Sequence, residues 1–283
     1  RQGLRTAAMF WPGSEVAIAG QRPTYWLTYD HDKPHAERVA QVLAWLDVPE
    51  AERPAFLTLY FAAVDDAGHD FGPLAPETHD ALLDVDRHIG DLMAGLAARG
   101  LEREVSVVIV SDHGMTEISE QRLVYLDDAI APADAPHDFL GPVAGLRPPA
   151  GEIESCVSRL RALPHVRVFR KTDLPASAGY THSNRIPDVL VIADEGWEVT
   201  TRAAAANRNW AKSRGNHGFD PAYGSMGATL IARGPRLPRG AVFPAADNIH
   251  VYNLLCALLE IQPAPNDGDD RLARLLVRPY ASP

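Results

Sequence analysis

The sequence predicts an α/β fold with a mostly parallel central sheet flanked by helices. Two apolar runs, residues 56–64 and 105–110, are rich in β-branched and aromatic residues and are bracketed by polar turns, as buried strands are. Between them, residues 76–98 carry apolar side chains at helical spacing, with Glu77 in the first turn and Gly100 at the end. A strand, a helix and a strand in this order predict two parallel strands joined by a right-handed crossover.

The other elements follow in chain order from the same two periodicities. Residues 5–10 are predicted to be a strand, and apolar residues at helical spacing predict a helix that follows His35. Residues 120–150 are rich in Pro, Asp and Gly and are expected to cover the sheet edge. Later elements are predicted as a helix at 152–163, strands at 166–170, 188–193 and 228–232, a helix at 249–259, and a Pro-rich tail.

Length and composition limit the possible functions. The chain has 283 residues, 46% of them hydrophobic, which is enough for one large α/β domain, and we expect one. A net charge of −10 argues against general nucleic-acid binding, because affinity for phosphate backbones needs a basic surface. No apolar stretch reaches the ~18 residues that span a bilayer, so we expect no membrane span. Cys156 and Cys256 fall within apolar helical patterns and are interpreted as buried.

Two carboxylate–histidine pairs stand at the ends of the two apolar runs. Asp65-x-x-x-His69 closes the first run, and Asp112-His113 closes the second. Because the carboxyl ends of parallel strands meet at one edge of a sheet, the two pairs are expected to serve one site. His217, in an Asn-His-Gly segment, is a fifth candidate.

The number and type of these residues favour a pair of metal ions. Zinc binds imidazole and carboxylate groups, usually four in all, and a catalytic site keeps one position open. Five candidates exceed the needs of one open site, whereas two metals ~3.5–4 Å apart are the usual arrangement for displacing an oxygen at phosphorus. The number of candidates therefore favours two metal ions.

Other interpretations of the same residues stay open. A single Asp-His pair is more often a surface turn than a ligand set, and the segment around His217 also suits a turn. Asp66 could replace Asp65 as the ligand, although Asp65 keeps the four-residue spacing to His69. Eight histidines lack a comparable context and are interpreted as structural or surface residues, namely His31, His35, His79, His88, His137, His165, His182 and His250.

Several segments resemble a known family. Residues 59–73, 111–115 and 216–220 resemble the ligand motifs of the nucleotide pyrophosphatase/phosphodiesterases, which belong to the alkaline phosphatase superfamily. Residues 10–15 and 248–268 are similar to stretches that distinguish this family from its phosphatase, sulfatase and mutase relatives. The resemblance covers essentially the whole chain, and it implies an alkaline-phosphatase-like sheet and a bacterial member of the family.

The resemblance also divides the five candidates between the two metals. It implies that Asp65, His69 and His217 hold one zinc ion, while Asp112 and His113 hold the other. Further groups that the family uses are a threonine nucleophile and one more aspartate ligand, both upstream of the segment that resembles residues 10–15. No threonine of this chain has the Pro and Asn context of that nucleophile.

We therefore expect residues 1–283 to be the C-terminal part of a single phosphodiesterase catalytic domain. Its first strand or strands would be missing from this chain, and the missing N-terminal segment would be its partner within the domain. Related bacterial enzymes are exported, so the resemblance implies a periplasmic or secreted location.

The resemblance implies a nucleotide pocket as well. Tyr29 occupies the position that stacks on the base in nucleotide-hydrolysing relatives, and Trp11, Glu15 and Tyr60 match other residues that line the pocket. An aromatic face accepts any base, with a stacking energy of ~1–3 kcal/mol. The alternative is that Trp11 and Tyr60 are core aromatics at a strand end.

The expected function is that of a two-zinc nucleotide pyrophosphatase/phosphodiesterase. Such an enzyme converts nucleoside triphosphates, dinucleotides or other phosphodiesters to a nucleoside monophosphate, through a covalent intermediate on the threonine. One alternative is a lysophospholipid or choline phosphodiesterase on the same scaffold. Another is a non-catalytic protein that binds metal or nucleotide.

Overall fold

The computed structural model describes residues 2–131, 133–175, 178–180 and 183–278, so His182 lies outside the described residues. Its helices are α1 (His35–Leu46), α2 (Ala63–Phe71), α3 (Pro76–Ala98), α4 (Ile153–Leu160), α5 (Arg202–Ala206), α6 (Val251–Leu258) and α7 (Arg271–Leu276). Its strands are β1 (Thr6–Met9), β2 (Tyr25–Trp26), β3 (Phe56–Leu59), β4 (Val107–Val110), β5 (Thr116–Glu117), β6 (Leu123–Tyr125), β7 (His137–Phe139), β8 (Val143–Leu146), β9 (Val166–Arg170), β10 (Val189–Ala193), β11 (Glu198–Thr200), β12 (Gly215–Asn216) and β13 (Leu230–Arg233).

The chain divides into two compact units. The first comprises Arg1–Ala63, Ala81–Asp112 and Ala228–Pro283, and the second comprises Val64–Asp80 and His113–Gly227. No helix in the described part of the chain combines the length and the apolar character needed to cross a membrane.

In the first unit, β1 is the central strand of a parallel three-stranded sheet in the order β2-β1-β3. Ala7 lies opposite both Tyr25 and Leu57 in this sheet. The apolar face of α1 packs on β1, and Val42 and Trp45 are buried in the same cluster as Ala7. Burying a side chain of this size contributes roughly 1.5–3 kcal/mol, so this face fixes α1 on the sheet.

The predicted pairing of the two strands on either side of α3 is wrong. β3 pairs with β1, whereas β4 forms an antiparallel pair with β13. All residues of β3 and β4 are only half-buried, although their composition is that of buried strands. One edge of each strand has no strand partner among the described residues, which explains the incomplete burial.

The second unit contains a four-stranded antiparallel sheet in the order β7-β8-β10-β9. β10 is its most buried strand, with Val191 opposite Ala144 and Val168. Helix α4 buries Cys156 and Leu160 in the same apolar cluster. Burial raises the pKa of the Cys156 thiol, so this cysteine packs as a small neutral side chain. Cys256 is also free and buried, and the prediction for both cysteines is confirmed.

Several local predictions need correction. Residues 120–150 contain β6, β7 and β8, because short strands of three or four residues gain their stability from distant partners rather than from local pattern. The tail after α6 contains helix α7. The first apolar run ends as a strand at Leu59, and the residues that follow it form α2. Asp65 and Asp66 in the first turn favour this helix, and Gly72 ends it with a φ of 98°.

Candidate metal centre

Asp65 and His69 lie on helix α2 and not at the end of a strand as predicted. Their four-residue spacing places both side chains on one face of the helix, and Nε2 of His69 is 3.6 Å from Oδ2 of Asp65. Nδ1 of His69 is 2.9 Å from the carbonyl oxygen of Gly215. Because a carbonyl only accepts hydrogen bonds, Nδ1 carries the proton, and Nε2 keeps its lone pair on the side of Asp65.

His113 and His217 complete this group. Nδ1 of His113 is 2.9 Å from the carbonyl oxygen of Gly114, so its Nε2 also keeps the lone pair. The two imidazole rings stack with their centroids 3.5 Å apart. Nε2 of His217 lies 3.7 Å from Oδ1 of Asp65. Asp65, His113 and His217 each offer one ligand atom, and these atoms all lie within 4.8 Å of one another.

The environment of Asp65 tests whether a cation fits here. Its Oδ1 is buried and has no hydrogen-bond partner among the described residues. A buried acceptor without a partner costs about 1–3 kcal/mol, and a charged oxygen costs more. Two ligand atoms about 2.0 Å from a tetrahedral zinc ion lie ~3.3 Å apart, close to the 3.6 and 3.7 Å separations around Asp65. The donor set and the orphaned oxygen therefore fit a zinc-type ion.

Asp112, the remaining predicted ligand, is the last residue of its segment of the first unit. It is an exposed residue that follows β4 and immediately precedes His113. Asp66, the alternative to Asp65, is also exposed. Asp65, which the sequence prefers for its four-residue spacing to His69, is the aspartate whose oxygens lie near the nitrogens of His69 and His217.

Three glycines allow backbone segments to approach the group. A Cβ atom on Gly114 would lie 2.0 Å from the carbonyl oxygen of Ser225, and one on Gly215 would lie 2.2 Å from that of Gly68. A Cβ on Gly68 would meet only the flexible end of Met115, at 3.0 Å. Glycine is therefore required most strictly at Gly114 and Gly215, where the added Cβ atom would meet backbone oxygens.

A buried acidic residue, Glu198, holds Asn216, which in turn bonds to the backbone of His217. Glu198 is 1% exposed, accepts a hydrogen bond from Nδ2 of Asn216 at 2.5 Å, and pairs with the guanidinium of Arg208. Oδ1 of Asn216 in turn accepts a hydrogen bond from the backbone N–H of His217 at 2.9 Å. Glu198, Asn216 and Arg208 also line a cavity of about 270 Å³. Little in the sequence indicates this role, because Glu198 opens a short strand, Glu-Val-Thr, that has no distinctive apolar pattern.

The predicted base-stacking residue lies in an aromatic group of the first unit. The ring of Tyr29 is 39% exposed, and it meets Phe10 edge-on at 5.2 Å and Tyr60 at 6.3 Å. The hydroxyl of Tyr29 is 3.0 Å from Nδ1 of His31. An exposed ring held by neighbouring rings is suited to stacking on a flat ligand.

Trp11 and Glu15 lie on the turn that follows β1. Trp11 is 44% exposed and therefore is not a core aromatic, whereas Tyr60 and Glu15 are half-buried. Phe10, just before this turn, is buried with a φ of 56°, a strained value for a non-glycine residue. This strain at the end of β1 redirects the chain into the turn that exposes Trp11.

A buried arginine holds the Tyr29 loop, and sequence reasoning missed it. Arg38 on α1 donates to the carbonyl oxygens of His31 at 2.7 Å, Lys33 at 2.9 Å and Tyr60 at 2.9 Å. Its guanidinium also lies 5.0 Å from the ring centroid of Phe10. Since the guanidinium offers five donors in a rigid fork, one side chain fixes the loop, the strand end and the aromatic group together.

Comparisons with known proteins agree with this chemistry. The family model described as "Type I phosphodiesterase / nucleotide pyrophosphatase" matches residues 1–220. A venom phosphodiesterase of Macrovipera lebetinus is 37% identical over 294 residues, which cover 100% of this chain and 34% of that protein. Ectonucleotide pyrophosphatase/phosphodiesterase family member 3 of Rattus norvegicus is 36% identical over 293 residues, covering 100% of this chain and 33% of that protein. The chain thus spans about a third of the length of these curated relatives.

Solved structures match the whole fold. Human ectonucleotide pyrophosphatase / phosphodiesterase 5 superposes with a TM-score of 0.90 and 30% identity, covering 97% of this chain and 72% of that one. An inactive form of the murine protein, in complex with AMP, gives a TM-score of 0.89 at 31% identity with the same coverage. The predicted α/β, alkaline-phosphatase-like fold class is confirmed.

Proposed function

Because the chain belongs to the type I phosphodiesterase / nucleotide pyrophosphatase family, we propose that it is the metal-binding part of a hydrolase that cleaves nucleotide phosphodiester and pyrophosphate bonds. The substrates are nucleoside triphosphates, dinucleotides or related diesters, and one product is a nucleoside monophosphate. The observation that carries the proposal is the buried Oδ1 of Asp65, which lies among imidazole nitrogens and has no hydrogen-bond partner among the described residues.

The proposal assigns ligands for two zinc ions. Asp65, His69 and His217 hold one ion, and Asp112 and His113 hold the other. The separations around Asp65 and the proton positions on His69 and His113 support this assignment. Ions held there would stabilise the negative charge that develops on the phosphoryl oxygens. On His69 and His113 a backbone carbonyl faces Nδ1, which fixes the tautomer and leaves Nε2 as the ligand atom.

The nucleophile is proposed to come from chain upstream of β1. A threonine and one further aspartate ligand from that segment would join residues 1–283 in one catalytic domain. Support comes from β3 and β4, which are half-buried and each have an edge without a strand partner among the described residues. A further strand of the same domain would cover those edges and bring its own side chains to the sheet.

The substrate is proposed to place its base on Tyr29. Trp11, Glu15 and Tyr60 line the same pocket. The exposed ring of Tyr29, held by Phe10 and by the loop that Arg38 fixes, supports this role. The AMP bound to the similar murine protein supports a nucleotide as the ligand.

An exported location is part of the proposal. The relatives named above include venom enzymes and an ectoenzyme, and these names refer to proteins found outside the cell. If the chain comes from a bacterium, the corresponding compartments are the periplasm and the medium.

The test uses the protein from its full reading frame, loaded with zinc, and the p-nitrophenyl ester of thymidine monophosphate. We expect Asp65→Asn to lower kcat/KM at least about 100-fold, since one ligand of several that share ~10–16 kcal/mol of zinc binding is lost. The matched control is Asp66→Asn, on the exposed neighbour, which should retain the parent rate.

Two results would contradict the proposal. One is hydrolysis that survives both Asp65→Asn and removal of zinc by a chelator. The other is a protein that binds zinc and AMP but does not turn over any nucleotide ester, which would favour a non-catalytic binding protein. Purified residues 1–283 alone are expected to bind zinc and to hydrolyse the ester negligibly.

A further inference from the structure

A second cluster of metal-ligating side chains lies entirely in the first unit. His35 begins α1, and Asp84 and His88 lie one turn apart on α3. Nδ1 of His35 is 2.9 Å from Oδ2 of Asp84, and Nε2 of His88 is 3.7 Å from Oδ1 of the same carboxylate. One ligand atom from each residue lies within 4.8 Å of the others. Both histidines are among those interpreted from the sequence as structural or surface residues, because neither has a context comparable to that of the two Asp-His pairs.

The protonation of His88 is fixed by a further carboxylate. Nδ1 of His88 is 3.1 Å from Oδ2 of Asp91, one turn along α3. Because a carboxylate only accepts, Nδ1 carries the proton, and the lone pair of Nε2 faces Asp84. His88 is 5% exposed, so this orientation is held by packing as well as by the hydrogen bond. A carboxylate behind a histidine is the arrangement that orients many metal-bound imidazoles.

A cation already occupies part of this cluster. The guanidinium of Arg87 donates to Nε2 of His88 at 3.1 Å and pairs closely with Oδ1 of Asp84. Hydrogen bonds from His35 and Arg87 hold the pKa of Asp84 below its usual value, so its carboxylate is charged at neutral pH. The Arg87 side chain is 61% exposed, and it can move into solvent without opening the core. A metal ion would therefore displace the exposed guanidinium of Arg87 from Nε2 of His88 and Oδ1 of Asp84.

We propose that His35, Asp84 and His88 form a metal site for a transition-metal dication such as zinc, separate from the cluster at Asp65. Two imidazoles and one carboxylate suit zinc and its neighbours and disfavour calcium and magnesium. The 2.9 and 3.7 Å separations lie on either side of the ~3.3 Å expected between two ligands of a tetrahedral ion. The ion replaces the proton that His35 shares with Asp84, and water fills the fourth position.

The site would connect two helices that are distant in sequence. His35 is the first residue of α1, and both other ligands belong to the middle of α3. The ring of His35 also meets the rings of His88 at 5.5 Å and Phe61 at 4.8 Å, which limits its movement. Metal binding should therefore stabilise the first unit by mass action, and above the dissociation constant the stabilisation should rise with the logarithm of the zinc concentration.

The experiment measures zinc binding in a background that lacks the first cluster. Protein with Asp65→Asn, His113→Ala and His217→Ala, which removes ligands of both ions proposed at the Asp65 group, is stripped with a chelator, titrated with zinc and analysed for bound metal, with cobalt as a spectroscopic probe of the ligand set. We expect this background protein to bind one equivalent of zinc per chain, and we expect that equivalent to be lost when Asp84→Asn is added. Two exposed residues of the same helix provide matched controls, Asp86→Asn and His79→Gln, and both should keep the equivalent.

Three further variants separate a metal site from a merely structural cluster. Asp91→Asn should weaken zinc about 10–100-fold, as loss of an outer carboxylate does. Arg87→Gln removes the competing cation and should tighten zinc binding. His88→Gln should abolish the site, and if this buried change impairs folding, the half-exposed Asp84 decides the question. The proposal is overturned if the background protein binds no zinc, or if Asp84→Asn and Asp86→Asn bind equally.

Discussion

On α2, Asp65 precedes His69 by four residues, and on α3, Asp84 precedes His88 by the same interval. The two carboxylates nevertheless differ in what surrounds them. Oδ1 of Asp65 is buried and has no hydrogen-bond partner among the described residues, whereas His35 and Arg87 engage both oxygens of Asp84. The same spacing thus gives one carboxylate with a buried oxygen that has no hydrogen-bond partner among the described residues, and another whose two oxygens are both engaged. Neighbours from distant segments, and not the motif, decide between the two states.

The largest expected effect is on the free energy of unfolding, when a glycine beside the Asp65 group or beside the Asp84 group is replaced by alanine. Gly114→Ala would bring a Cβ within 2.0 Å of the Ser225 carbonyl oxygen, a backbone atom that cannot move easily. We expect a loss of at least ~3 kcal/mol in the free energy of unfolding, at the upper end of overpacking costs. Gly90→Ala, on α3 between His88 and Asp91, meets nothing within 4 Å and should stabilise the helix by roughly 0.5–1 kcal/mol.

Urea denaturation of both glycine variants checks this difference. A stable Gly114→Ala protein would mean that the segment after His113 is not held against residue 225. That result would contradict the proposed difference between tight backbone packing beside the Asp65 group and open space beside the Asp84 group.

The second prediction compares how substitution of Asp65 and substitution of Asp84 change the stability of the zinc-free protein. Asp65→Asn removes a buried charged oxygen that lacks a partner, so the zinc-free protein should gain about 1–3 kcal/mol. Asp84→Asn removes an acceptor that His35 and Arg87 use, and the zinc-free protein should lose up to ~1 kcal/mol. Thermal unfolding in excess chelator measures both changes. Shifts of the same sign would remove the distinction between the clusters.

The third effect tests the support behind the first cluster. Glu198→Gln deletes the charge that pairs with Arg208 and weakens the hold on Asn216, which precedes the ligand His217. We expect a loss of ~2 kcal/mol in stability and about a tenfold loss of zinc affinity. Glu120→Gln is the control, because Glu120 is exposed and accepts a hydrogen bond from the side chain of the adjacent Gln121. Isothermal titration with zinc should separate the two variants, and equal affinities would exclude a positioning role.

The smallest effect concerns the aromatic group of the first unit. Tyr29→Ala should weaken nucleotide substrates by about 1 kcal/mol, the lower end of base stacking, since much of the ring is exposed. A small aryl phosphodiester has no base to stack and should be hydrolysed at the parent kcat/KM, with zinc content unchanged. Kinetics on both substrates decide the matter, because equal losses would assign Tyr29 to the fold or the metal shell.

Long periodic patterns predicted their elements well. Helix α3 has the predicted bounds, and β9 matches residues 166–170, because each carries a complete pattern over its own length. The strands within 120–150 were missed, since β7 and β8 are stabilised by pairing with each other and with β10, more than 40 residues downstream. Local sequence carries little information about such pairing.

The candidate site shows the same limit. The residue types and spacing of Asp65 and His69 indicated metal ligands, yet their helix was read as the end of a strand. Glu198 and Arg38 were missed altogether, because each acts through partners that only folding brings close. The sequence therefore indicated candidate ligand side chains, and distant contacts determine how those side chains are held.

The open edges of β3 and β4 bear on how this chain behaves in solution. A strand that exposes unpaired N–H and C=O groups is a template for another strand, and β4 is composed of Val and Ile only. Ile231, on the strand paired with β4, adds an exposed apolar side chain beside it. Residues 1–283 on their own should therefore self-associate as their concentration rises, giving increased light scattering. A strand of the same protein that pairs with this edge would prevent a second copy from pairing there, and the protein would then stay monodisperse.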